Sequence, residues 1–172
     1  MRRKEMLRKV FDSLRREEGS ALAELAIMVP LILVMMAAVC EFGRYFQNYN
    51  TLSKATRSSA RYLSNHPLTA IEIGRAQNLV VCGKLTCAAG DARLVPGLAA
   101  SNVCIESSGS PKVTNVTVRI PRPDNACNPM AGAPAATPFT YTPIFNIGAL
   151  LGTSFSFALP IAPRTTMYYM ID

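Results

Sequence analysis

The sequence has no tryptophan and one histidine, His66. A Ser-His-Asp site could therefore use only His66, which stands in an Asn-His-Pro turn with no evident partner. There is no GxSxG elbow, no HExxH and no GxxxxGK[ST] phosphate loop. Acids are few: beyond residue 40 they are Glu41, Glu72, Asp91, Glu106, Asp124 and Asp172, and none is closely paired along the chain. These absences argue against an enzyme, and no cofactor or metal is expected. A ligand-binding envelope domain is a remoter reading, which the lack of tryptophan and of a convergent polar cluster neither supports nor excludes.

A basic surface for nucleic acid is also missing, although the formal charge is +7. The first 19 residues hold seven basic and four acidic side chains, so +3 belongs to them and only +4 to the other 153 residues. The charge reports a basic leader, and no nucleic-acid partner is expected.

What the chain does have is a long apolar run, Leu22 to Cys40, in which Glu24 is the one charge. Its 19 residues, at about 1.5 Å per helical residue, match the ~30 Å hydrocarbon core of a bilayer. Seven Lys or Arg precede it, against Arg44, Lys54 and Arg57 in a comparable stretch after it. The positive-inside bias places the N-terminus in the cytoplasm and the rest outside. Two secretion signals fit less well. Met36-Ala37-Ala38 has Met where a signal peptidase needs a small residue, and Val39 stands where a lipoprotein signal needs one before Cys40.

A carboxylate near mid-membrane costs about 2.5–3.5 kcal/mol on insertion scales, and less near the interface. Glu24 either stays wet at headgroup level or has a functional partner. A cut after Gly19 would free an amine on Ser20 and make Glu24 the fifth residue, supplying the cation that a buried carboxylate needs, from its own helix or from a shifted neighbour. Pro30 removes one backbone donor inside the span and predicts a local kink, either a bend used in packing or an ordinary one.

These features resemble the TadE family of pilin-like proteins of tight-adherence (Flp) pilus systems. The resemblance rests on the leader ending at Gly19, on Glu24, on the apolar helix with Pro30 and on the exit EFGRYFQNYNTLSKATRSSARYLS, over residues 15 to 64. It extends less closely to 65–120, through AQNLVVCG and LVPGL; Leu25 stands where an aromatic residue often follows the glutamate. The resemblance implies that a prepilin peptidase cuts between Gly19 and Ser20, and that Glu24 is the assembly glutamate. It also implies a bacterial inner-membrane protein with a periplasmic domain, whose partners are other pilin-like subunits and the pilus or secretion machinery. The expected function is that of a non-catalytic minor pilin or pseudopilin. The alternative is a permanently anchored, unprocessed scaffold or binding domain of an envelope complex.

The organisation predicted is a leader (1–19), with an amphipathic helical face of Leu7, Val10, Phe11 and Leu14; a transmembrane helix (20–40); its continuation (41–64); and an outer α+β domain (65–172). In the continuation, Phe42, Tyr45, Phe46, Tyr49, Leu52, Thr56, Ala60 and Leu63 recur at steps of three and four, which predicts one stripe packed on the outer domain. The aromatic part also suits the membrane interface. Pro67 ends the helix. Leu68, Ile71, Ala76, Leu79 and Val80 predict a second helix over 68–81, and period two predicts strands at Val103–Ile105 and Val113–Ile120 around a Gly109-Ser110-Pro111 turn. With five prolines, 121–138 reads as an irregular loop. Strands are further expected at 139–145, 154–159 and 164–171, with a helical turn at 146–152. The fold class is thus α+β, pilin-like: a long N-terminal helix against a small antiparallel sheet.

Cys82, Cys87, Cys104 and Cys127 form an even set in the outer part, where disulfides persist. Three pairings are open; proximity along the chain favours Cys82 with Cys87 and Cys104 with Cys127. A zinc site is disfavoured, because the spacing is not that of paired CxxC motifs.

Overall fold

The structure is a computed structural model that describes residues 2–145 and 158–171, with side chains from Gly19 onward. Helix α1 runs from Arg2 to Ser64 and passes through Pro30 without a break. Helix α2 spans Ala70–Cys82. A short 3-10 turn at Ala100–Asn102 leads into strand β1, Cys104–Ser108. Strands β2, Asn115–Arg119, and β3, Arg164–Tyr168, complete an antiparallel sheet of order β1-β2-β3. The α+β class and the long-helix-on-sheet arrangement agree with the sequence expectation.

Helix α1 changes surroundings along its length. From Leu22 to Val39 almost every side chain is exposed, and this is a stretch long and apolar enough to cross a membrane. Beyond it, Leu52, Ala55, Thr56, Ser59, Ala60 and Leu63 are buried. They pack on Ile73, Ala76 and Val80 of α2 and on Ile105, Val116 and Val118 of the sheet, in one core. Small residues let the helices approach closely, so that the Ser59 hydroxyl donates to the Ala76 carbonyl at 2.8 Å.

The buried face is not quite the predicted stripe. Tyr45, Leu52, Thr56, Ala60 and Leu63 turn inward, but Phe42, Phe46 and Tyr49 are exposed, Phe42 at 68%. The inward position one residue before Phe42 is taken by Glu41. An apolar pattern alone could not separate the two faces, because both carry aromatic rings. Helix α2 shows the same slip: Ile71 is 69% exposed, while Ile73, Gln77 and Val81 face the core with Ala76 and Val80. The helix starts at Ala70 rather than Leu68 because the Thr69 hydroxyl caps the Glu72 amide. It stops where Gly83 takes a left-handed φ of 72° and donates its N–H to Leu79.

The sheet is smaller than predicted. Residues 139–145 form no strand; Tyr141 N–H donates to Leu159 O and Ile161 N–H to Phe139 O around an isolated Thr140–Pro160 bridge. Pro138 and Pro143 interrupt the donors a longer ladder needs. Residues 158–159 are not strand either. The expected turn at 146–152 and the first part of the 154–159 strand lie outside the described residues. Strand β1 begins at Cys104 and runs three residues past Ile105, β2 is shorter than 113–120, and β3 ends at Tyr168.

Three contacts set the direction of the C-terminal segment relative to α1. Tyr45 donates to Pro160 O, the Thr56 and Thr165 hydroxyls lie 3.3 Å apart, and Met170 N–H donates to Ser64 O. Strand β3 therefore runs alongside α1 and away from its apolar half, and β2 runs back toward it.

Candidate functional site

Gly19, Ser20, Glu24 and Pro30 all lie on the exposed part of α1. A Cβ built on Gly19 meets nothing within 4 Å. The nitrogen of Ser20 is a peptide amide within α1, so an amine to pair with Glu24 exists only after a cut. Among the described residues Glu24 makes no hydrogen bond or ion pair. Sequence reasoning placed Gly19 at the end of the leader and the other three on the transmembrane helix; the structure puts all four on one continuous helix, and among the described residues none of them meets another element.

The carboxylate that the fold does enclose is Glu41, the first residue beyond the apolar run. It is 1% exposed. Its Oε2 accepts from the Tyr141 hydroxyl at 2.5 Å, and its Oε1 accepts from the Ile144 and Phe145 amides, each at 2.8 Å. Burial raises the pKa of this carboxyl, but the Tyr141, Phe145 and Ile144 hydrogen bonds and the charge of Arg44 together hold it below the ordinary glutamate value. Burial and the bond to Glu41 push the Tyr141 hydroxyl up. The Tyr141 ring meets Tyr45 edge to face, with centroids 5.7 Å apart.

Glu41 thus clasps the 141–145 segment to α1 where the helix leaves its apolar half. Beside the clasp lies a cavity of about 250 Å³ between Arg44 and Asn48 of α1 and the 95–97 and 139–142 loops. The exposed rings of Phe42, Phe46 and Tyr49 follow Glu41 on the same helix, on faces that the domain does not cover. Sequence reasoning recorded Glu41 as one of the scattered acids and as the first residue of the family-like exit, with no partner assigned. Its signal was the acid-aromatic-Gly-Arg exit, but its donors lie some hundred residues away in a proline-broken loop.

The four outer cysteines form Cys82–Cys87 and Cys104–Cys127 disulfides, with Cα separations of 6.1 and 5.8 Å; Cys40 is free and exposed. This is the pairing that chain proximity favoured. Cys104, Glu106 and Cys127 bring metal-type donors together, but both sulfurs are in the disulfide and Glu106 holds Arg119 at 2.7 Å. His66 stacks on Tyr62, and its Nδ1 lies 2.8 Å from the Tyr62 carbonyl oxygen, as befits a turn residue.

Residues 19–61 match the family model described as TadE-like protein. The match begins at Gly19 and covers the apolar half of α1, Glu41 and most of the packed half, in agreement with the resemblance read from the sequence. No curated protein and no solved structure matches the chain.

Proposed function

We propose, taking the TadE-like match over residues 19–61 as the premise, that this chain takes part in tight-adherence pilus assembly as a non-catalytic minor pilin or pseudopilin. The observation that carries the reading is the position of the match on one helix. It starts at the proposed cleavage glycine, contains Glu24, which bonds to nothing among the described residues, and ends in the half of α1 that packs on the outer domain. In this reading a prepilin peptidase of the bacterial inner membrane removes residues 1–19, and the new Ser20 amine pairs with Glu24 of its own or a neighbouring subunit. The apolar half then holds the subunit in the bilayer until it joins or primes a filament. The periplasmic domain contacts other pilin-like subunits.

Two physical features support this division of labour. Among the described residues nothing covers the apolar half of α1, which leaves it open to lipid or other helices. The Glu41 clasp fixes the outer domain to the other half, and a pull on one is transmitted to the other through a single helix.

The test is the intact mass and N-terminal sequence of the protein from native membranes, beside a Gly19→Arg variant. The open space around Gly19 makes this substitution a test of processing rather than of folding. A start at Ser20 that vanishes in the variant is expected. A start at Met1 in both would overturn processing and favour the permanently anchored scaffold, and a start near Cys40 would make the apolar run a signal sequence.

A further inference from the structure

A second polar site lies on the sheet face turned away from α1. Arg119 of β2 and Arg164 of β3 are directly opposite in the antiparallel register. Opposed residues on one face have Cβ atoms about 5 Å apart, and like charges there are destabilising. Glu106 of β1 answers one of them: its Oε1 accepts from Arg119 Nη2 at 2.7 Å. Arg119 also donates to the carbonyls of Asn125 and Ala126, in the loop that covers it. It is 8% exposed, and its Nε is buried with no acceptor among the described residues. Arg122, at the start of that loop, adds a third guanidinium. Arg119, Arg122 and Arg164 line one cavity of about 210 Å³ together with Ile120, Asn125 and Ala162. Among the described residues neither Arg122 nor Arg164 is in an ion pair, and Asp124 is exposed at the loop tip and does not line the cavity.

We infer that this cavity is a binding site for a phosphate-class oxyanion. Three guanidinium groups with one carboxylate leave an excess of two positive charges, and guanidinium forks match the oxygens of such a group in bidentate fashion. The volume is below the ~300 Å³ at which drug-sized ligand pockets begin, and suits a single anionic group with its waters. An anion seated among the three guanidinium groups offsets the like-charge opposition of Arg119 and Arg164 that the register builds in.

The depth of the cavity bears on its source. Pro160 is level with Tyr45 and Thr165 with Thr56. At about 1.5 Å per helical and 3.3 Å per extended residue, Ala162 and Arg164 lie roughly 14–21 Å beyond Cys40 along the α1 axis. A headgroup layer is only about 5–8 Å thick. With α1 along the membrane normal, the cavity opens to the aqueous side and takes its anion from there.

The experiment uses the full chain in neutral-detergent micelles, titrated with inorganic phosphate and, at equal ionic strength, with chloride. The readouts are the arginine Nε–H resonances and the thermal midpoint. The expected result is a saturable shift with phosphate alone, weakened about tenfold in Arg122→Gln/Arg164→Gln, the loss of about 1.4 kcal/mol that charge-assisted bonds of this kind supply. Equal shifts with chloride, or an undiminished phosphate shift in the double variant, would overturn the site. Saturation by acetate but not phosphate would overturn the ligand class in favour of a carboxylate. A shift in phosphatidylglycerol nanodiscs without added phosphate, absent in phosphatidylcholine discs, would uphold the site and overturn its aqueous source.

Discussion

Glu24 and Glu41 stand on the same helix in opposite surroundings. Glu24 is exposed on an apolar cylinder and bonds to nothing among the described residues; Glu41 is enclosed and accepts three hydrogen bonds from a distant segment. The same side chain is left open in one half of α1 and satisfied by the fold in the other. A charge that the fold has satisfied serves folding, whereas on the proposed reading Glu24, left open on an apolar surface, serves assembly.

The contrast breaks if Glu41 can be removed without harm. Glu41→Ala deprives the Tyr141 hydroxyl and two amides of their acceptor, and should cost on the order of 3 kcal/mol. Urea unfolding of the micelle-bound chain, followed by tyrosine near-UV circular dichroism, reads this; a loss within ~0.5 kcal/mol would mean that the clasp is ornamental.

A second effect asks how much of the outer half is secured covalently. The sequence separation is 23 for Cys104–Cys127 and 5 for Cys82–Cys87. On the loop-closure account, replacing the first pair by serine should cost about 1 kcal/mol more than replacing the second. Equal losses in the same unfolding assay would show that native packing, not chain entropy, sets their worth.

The third concerns pH. Glu41 and Glu106 both sit below the ordinary glutamate value, Glu106 because bonds from Arg119 and the Asn128 amide, with the charges of Arg119 and Arg164, outweigh the burial that raises it. A depressed folded pKa contributes stability that is present above the unfolded value, about 4.3, and is lost as pH falls through the folded one. Unfolding should therefore ease below about pH 4.3, and Glu41→Gln should flatten that dependence. An unchanged slope in the variant would place the acid sensitivity elsewhere.

The smallest effect on stability belongs to Glu24. Glu24→Gln should unfold within ~0.5 kcal/mol of wild type, the range of surface substitutions, yet lose incorporation into pili, scored by immunoblot of the sheared fraction. Normal incorporation would remove Glu24 from assembly.

Much of α1 was open to reading from the sequence alone. An apolar run of bilayer length, a basic flank before it and a proline after Ser64 are properties of neighbouring residues, and local physics decides them. The pairing of the cysteines also followed from proximity along the chain. Which face of α1 turns inward did not, since Phe42 and Tyr45 are equally good apolar residues and only the shape of the domain tells them apart. Nor did the roles of Glu41 and Arg119. Their chemistry is made by contacts with Tyr141, Ile144 and Phe145, and with Glu106 and Arg164, each brought close only when the sheet and its loops close on the helix. The sequence by itself determined a helix long and apolar enough to cross a membrane, with acids at two levels. Only the tertiary structure decided which acid would be enclosed, because burial and hydrogen-bond satisfaction depend on parts of the chain that no local pattern connects.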